Sequence, residues 1–431
     1  MANAGLLPVE ALTADKKYAM KQSLEIFPLD SSSVEPKYVV RTPEGKSYVV
    51  SEKLKSILLL FDGTRTLSDI AEIVSSQQGM RISDEQMDQV LARYIGRYGL
   101  VEEVLEGATF ARGADVNDGK SKPFDFIFRL PLVPASVAAP IVDRFTWLFR
   151  PATAVMAVSA IVLAHVAFYQ NWFVIRPTLS FGPSDFLIFY ALGLSTAIFH
   201  ELGHASACRA FRCEHGPIGF LLYIIFPAFY VNLSNAWRLP GKQRAVIDIG
   251  GIYFQLLTVI PLLLLFGLTG SSYFCGVIYA VDWMVLFSLN PIFKFDGYWL
   301  LVDLSGIINL QKRGWRVVKE ILLWSLGTGK GLPSLTDVAG TGRRLLLVMY
   351  SLITVAMFTA LILLLVTFAP RRAVMLADNL RQIVMGPEKG VRAILPMVGR
   401  VMMNLFFFLF VYRLFSKTVF RLFKKGIWKH S

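Results

Sequence analysis

Six stretches of the chain are apolar for about the 20 residues that a bilayer crossing needs, and nothing else in the sequence limits the fold so strongly. In hydrocarbon each backbone N–H and C=O must be paired within the structure, so stretches of this length and pattern fold as helices. They are residues 151–169, 185–207, 245–268, 273–293, 344–368 and 393–415. A further apolar stretch, 216–230, is short and broken by Pro217 and Pro227. It reads as a re-entrant hairpin, which is tolerated only where protein or water lines it. Composition points the same way. Hydrophobic residues make up 54% of the 431 and charged residues 17%, against about 25% charged in soluble proteins. The mean hydropathy is +0.52. The expected fold is mainly α, a polytopic membrane protein of about six transmembrane helices with a small α+β domain in front. A disordered chain, a collagen and a disulfide scaffold are excluded. The three cysteines, Cys208, Cys213 and Cys275, form no even framework and fit a reducing compartment.

The formal net charge is +13. In a membrane protein such an excess sits on the cytoplasmic side and against anionic lipid, so no nucleic-acid partner is expected. Residues 1–20 read as carrying no secretory signal. With the N-terminus inside, six spans return the C-terminus inside. The inner segments then hold Arg144, Arg150, Arg209, Arg212, Arg238, Lys242, Arg244, Lys312, Arg313, Arg316 and Lys319. The third outer loop runs against this count, with Arg371, Arg372, Arg381, Lys389 and Arg392. The majority still places both termini in the cytoplasm of a cell (inner) membrane protein.

Four regions follow. Residues 1–112 are soluble in character. Tyr38-Val39-Val40 and Tyr48-Val49-Val50 read as strands joined by a turn at 41–46, and residues 51–61 as a helix that Asp62-Gly63-Thr64 breaks. A second helix starts at 66–69, a third covers 84–98, and Gly99 leads into a closing strand at 100–102. Together these make a winged-helix-like module. Residues 113–150 are a linker and an interfacial segment, 151–415 the transmembrane domain, and 416–431 a basic amphipathic tail on the inner leaflet. The helix 84–98 sets Asp84, Glu85 and Asp88 against Arg93 and Arg97, which is not a phosphate-seeking face.

The second span contains His200-Glu201-Leu202-Gly203-His204. Residues i and i+4 share a helix face, so both imidazoles can bind one Zn²⁺, and the intervening glutamate can act as general base. Ionisable residues at membrane depth are costly and mark function. Zinc needs a third protein ligand. Asp296, within the segment Asn290-Pro291-Ile292-Phe293-Lys294-Phe295-Asp296-Gly297, is the better candidate, because Pro291 and Gly297 let the chain interrupt its helix and aim a carboxylate inward. His215 is the alternative. Cys208, Cys213 and His215 are too irregularly spaced to suggest a second site. His165 reads as a helix-packing histidine. Asp248 is placed to pair with Arg244 across one turn or, alternatively, to make a polar contact inside the bundle.

The HExxH pentad in one span, with Asn290-Pro291 and Asp296-Gly297 two spans later, resembles the site-2 protease family of intramembrane zinc metalloproteases. The resemblance covers about residues 193–303. It implies a three-span site-2-protease core at about 185–303, with the zinc open to the cytoplasm. It implies one Zn²⁺ held by His200, His204 and Asp296, Glu201 as catalytic base, and Asn290 as a catalytic residue that holds substrate or the oxyanion. Residues 226–232 followed by Ala236-Trp237-Arg238 resemble a bacterial branch of peptide zinc metalloproteases. No PDZ-like insertion lies between the spans, which argues against a stress-signalling role. Residues 48–51, 60–67 and 99–101 are similar to the PqqD-like fold, which implies leader-peptide binding at a sheet edge. The expected activity is therefore hydrolysis of a peptide bond in a membrane-associated or ribosomally made peptide. The expected partners are that peptide or membrane-protein substrate, the lipid bilayer and a peptide-export partner. The alternative function is a catalytically silent membrane scaffold or export partner for a peptide maturation system.

Overall fold

The computed structural model describes residues 17–21, 23–31, 33–42, 47–78, 82–91, 95–103, 126–170, 183–223, 226–327, 335, 338–385, 390, 397–405, 407–409 and 411–412. The linker centred on 110–123 and the basic tail 416–431 lie outside these residues.

The N-terminal region carries two three-stranded antiparallel sheets. One has the order β2-β3-β4, with β2 Glu25–Leu29, β3 Lys37–Arg41 and β4 Ser47–Ser51. Tyr38 faces Val50 and Val40 faces Tyr48, the expected hairpin pairing. The other has the order β5-β1-β6, with β1 Lys17–Met20, β5 Asp62–Thr66 and β6 Val101–Glu103. Three helices cover them. Helix α1, Glu52–Leu59, is capped by the Ser51 hydroxyl. Helix α2 is Leu67–Gln78. Helix α3, Asp84–Val90, begins with a capping box between Ser83 and Gln86. Val40, Phe61, Ile70, Met87, Ile95 and Leu100 fill the core between sheets and helices.

One local expectation needs correction here. Asp62-Gly63-Thr64 does not simply end a helix; it opens β5, because β1 supplies a partner that local turn propensity cannot reveal. Of the third expected helix, 84–98, the described residues show α3 to Val90, helical Leu91 and Ile95, and a 3-10 turn at Gly96–Tyr98 before left-handed Gly99; 92–94 lie outside the described residues.

Next comes β7, Phe126–Val133, the middle strand's partner in a third sheet of order β7-β8-β9. The re-entrant stretch supplies β8, Ile218–Tyr223, and β9, Phe226–Val231, so it is a hairpin as expected. The expected interfacial segment is thus strand first and helix second, α4 at Ala135–Asp143. Arg209 clamps Asp143 with two hydrogen bonds, at 2.7 and 3.0 Å.

Among the described residues, three helices are long and apolar enough to cross a membrane: Pro151–Gln170, Gly241–Thr269 and Thr341–Met385. The first is α5. The second breaks at Thr258 into α7, Gly241–Leu257, and α8, Val259–Thr269. Between them runs α6, Pro183–Ala210, whose 28 residues rise about 42 Å but carry the polar pentad. Helix α9, Ser272–Ser288, has 17 residues, about 26 Å and short of a full crossing. Then come α10, Asp296–Ser305, the amphipathic α11, Leu310–Ser325, and α12, Thr341–Met385. A further apolar helix covers Met397–Leu409.

Helix α12 corrects the expected third outer loop. Arg371, Arg372 and Arg381 are helical, because Pro370 does not stop the 45-residue helix. That length is about 68 Å, more than the roughly 40–45 Å of a bilayer with its headgroups.

Phe168, Ile252, Val259, Ile278 and Val281 form the dry interior between α5, α7, α8 and α9. His165 packs helices as expected. Its Nε2 lies 3.1 Å from Asp282 Oδ1, and the Tyr169 hydroxyl donates to Asp282 Oδ2 at 2.6 Å. Arg244 does not pair with Asp248. It binds Asp303 of α10 at 2.8 Å with both groups buried, a long-range partner that displaces the local one.

The β2-β3 edge of the N-terminal domain docks on the start of α7. Leu29 and Val39 pack with Ile308, and Asp30 Oδ2 accepts from the Gly241 N–H at 2.9 Å. Arg238 hydrogen-bonds Glu25, and Arg41 hydrogen-bonds Asn235. The Arg238 guanidinium holds the Glu25 carboxyl below the usual glutamate range. A carboxyl lowered on folding favours the docked form above its ordinary value and stops doing so as pH falls through the lowered one. Hydrogen exchange across β2, taken relative to the intrinsic rate at each pH, should therefore be constant from pH 7 to about 5 and rise below about 4. A rise already complete at pH 6 would show that another contact holds the domain.

Candidate metal centre

Helix α6 places His200 and His204 one turn apart on one face, and α10 brings Asp296 to them. His200 Nε2 lies 2.9 Å from Asp296 Oδ2, His204 Nε2 lies 3.4 Å from Oδ1, and the two Nε2 atoms are 3.1 Å apart. Asp296 is the first residue of α10, immediately after an irregular turn at 290–295. The expected close approach at Gly297 is present: a Cβ there would collide with the Leu289 carbonyl. Asn290 Oδ1 accepts from the Ile292 N–H at 2.9 Å and shapes that turn. Its Nδ2 faces Met357 Sδ at 3.7 Å, a weak contact, and among the described residues it makes no hydrogen bond to His200, Glu201, His204 or Asp296. His215 is elsewhere: its Nδ1 lies 2.8 Å from the Gly216 carbonyl, at the start of the hairpin. The alternative third ligand is thus not brought to the histidines.

The outer partners of the imidazoles decide which nitrogens face inward. His204 Nδ1 lies 2.7 Å from the Ile247 carbonyl, which can only accept, so Nδ1 carries the proton and Nε2 is left bare. His200 Nδ1 lies 3.1 Å from Gln255 Oε1, which fixes the same tautomer. Gln255 is buried, and its Nε2 faces Met284 Sδ. Ser288 Oγ donates to Asp296 Oδ2 at 2.7 Å. Two bare nitrogens and a carboxylate then point at one another in a half-buried space. Lone pairs so arranged repel unless a cation lies among them, and this N/N/O donor set is one that Zn²⁺ takes. His200, Glu201 and His204 also offer ligand atoms within 4.8 Å of one another. Cys208, Cys213 and His215 form no such cluster among the described residues.

Glu201 is partly buried on α6, which packs against β9. Helix α7 closes the other side. A Cβ on Gly251 would collide with Nε2 of both His200 and His204. Gly203 and Gly250 meet at the crossing of α6 and α7, where small residues let the two backbones approach.

Sequence reasoning did not single out Gln255, Gly251, Ser288 or the Ile247 carbonyl. A glutamine at membrane depth beside Gly250-Gly251 was the available signal for the first two. Nothing in the sequence marks a backbone carbonyl.

Over 180 residues, 41% of its length, the chain is 27% identical to a Bacillus subtilis protein named "Putative peptide zinc metalloprotease protein YydH", and the match covers 69% of that protein. No protein-family model matches the chain, and no solved structure does. The similarity is consistent with a zinc-dependent peptide hydrolase.

Proposed function

We propose that the chain is an intramembrane zinc endopeptidase of the site-2 type. Its substrate is a peptide made by the ribosome or anchored in the membrane. In this reading six spans cross a cell membrane with both termini in the cytoplasm. Residues 1–112 form a PqqD-like domain that holds a leader peptide, residues 113–150 link it to the transmembrane domain 151–415 with its core at about 185–303, and the tail lies on the inner leaflet. The observation that carries the proposal is the convergence of His200, His204 and Asp296 with their outer nitrogens and oxygens already engaged.

His200, His204 and Asp296 would hold the metal. Zinc, when bound, supplies Lewis acidity that brings water within reach of deprotonation near neutral pH. Glu201 takes the proton from that water and returns it to the leaving nitrogen of the scissile bond. Among the described residues β9 pairs with β8 alone, and its other side would give an unwound substrate an edge to align along. Asn290 Nδ2, which among the described residues meets only the Met357 sulfur, is the donor that would meet the carbonyl oxygen of the substrate.

The test is the metal content of detergent-purified protein beside His204→Ala and Asp296→Ala. The expected result is about one zinc per chain, lost in both variants. Zinc retained in Asp296→Ala would return His215 to consideration. A wild-type protein without zinc would favour the scaffold or export-partner reading.

A further inference from the structure

A cavity of about 580 Å³ lies where the N-terminal domain meets the end of α6, within the roughly 300–1,000 Å³ of ordinary ligand pockets. Glu25 and Arg41 line it from the soluble side, and Arg212, Glu214, Asn235 and Arg238 from the membrane domain. Three guanidiniums thus face two carboxylates. Two of the three are committed: Arg238 to Glu25, and Arg41 to Asn235, with Glu25 a further 3.9 Å away. Asn235 in turn donates to the Glu214 carbonyl at 2.7 Å, which ties the cavity wall together. Arg212 differs. It is exposed, its guanidinium has no partner among the described residues, and its backbone is held at φ +56°. A non-glycine residue seldom adopts that left-handed region, so the turn that presents Arg212 is fixed by its surroundings.

The geometry points to this cavity as the anchoring site for an acidic segment of the peptide substrate. The choice of ligand rests on the peptide-hydrolase reading above. A guanidinium fork matches a carboxylate through two hydrogen bonds, and Arg212 has all its donors free. The Glu25 and Glu214 carboxylates suit a ligand that also brings N–H donors, as a peptide main chain does. A phosphodiester offers acceptors alone and would be repelled by both. Position agrees as well. From His204 to Ala210 the helix rises about 9 Å, and Arg212 follows two residues later. An acidic anchor there would lie at least about four extended residues from the cleaved bond.

The test uses the full chain carrying Glu201→Gln, so that the probe is not consumed. The probe is a fluorescein-labelled Gly-Ser peptide with a central run of glutamates, read by fluorescence anisotropy beside the same peptide with glutamines. The glutamate peptide should bind at least about tenfold more tightly. Arg212→Glu should weaken it by about tenfold with zinc content unchanged. If Arg212→Glu fails to fold, Arg212→Gln serves in its place and should weaken binding by several-fold. Equal affinity for the two peptides, or no loss in either variant, would overturn the proposal. So would displacement of the peptide by phosphatidylglycerol bicelles and not by phosphatidylcholine ones, which would give the cavity to a lipid headgroup. Acidic-peptide binding without hydrolysis by the unmutated protein would keep the anchor and remove the protease reading. Hydrolysis without dependence on Arg212 would do the reverse.

Discussion

Glu201→Gln is expected to keep about one zinc per chain and to lose peptide hydrolysis by about 10²–10⁴-fold, the usual contribution of a positioned proton-transfer group. The substitution changes neither imidazole nor Asp296, and the amide has the size and shape of the carboxyl it replaces. It removes only the basicity of the side chain. Metal content and rate therefore separate: the first is set by His200, His204 and Asp296, the second by Glu201. Mass-spectrometric detection of cleaved peptide, with metal analysis of the same preparation, reads both. Turnover within a factor of two of wild type would remove Glu201 from the chemistry and leave the metal centre without a base.

The second large effect comes from a residue that is no ligand. Gly251→Ala should weaken zinc binding by about 5–150-fold, because the added methyl occupies the space of both His200 Nε2 and His204 Nε2. Relief requires the imidazoles to leave Asp296 or α7 to move away from α6, and overpacking of this kind costs about 1–3 kcal/mol. Gly267→Ala is the control, one methyl added to a glycine in α8 of the same apolar segment, where nothing lies within 4 Å. That variant should keep its zinc and its unfolding temperature. If Gly251→Ala also keeps its zinc affinity, α7 does not sit against the centre as described.

Why was Gly251 invisible in the sequence while His204 was not? The HExxH spacing is a property of one helix, and a 3.6-residue repeat converts it directly into shared facing. Asp296 was legible for a related reason, since Pro291 and Gly297 announce a break in a helix where a carboxylate is otherwise expensive. Gly251 acquires its role only when α7 is laid against α6, and one sequence does not encode which helix faces which. Arg244 makes the same point in reverse. Local spacing favoured Asp248, but the partner is Asp303, 59 residues away. The soluble domain divides along the same line. The β3–β4 hairpin could be read because its strands are adjacent, whereas β1 and β5 pair across about 40 residues and β5 has the composition of a turn. Helix α12 was read short because a run of arginines and a proline usually ends a membrane span, and here the helix continues beyond it.

The strand pair β7–β8 has a consequence for synthesis. Phe126 lies opposite Tyr223, 97 residues further along the chain, with α5 and α6 between them. At about 5–20 residues per second, β7 leaves the ribosome some 5–20 s before its partner exists. Throughout that interval the nascent protein carries a lone strand beside the membrane, open to capture by a chaperone or a neighbouring chain. Order of emergence, not only final geometry, thus sets when the hairpin beside Glu201 can close.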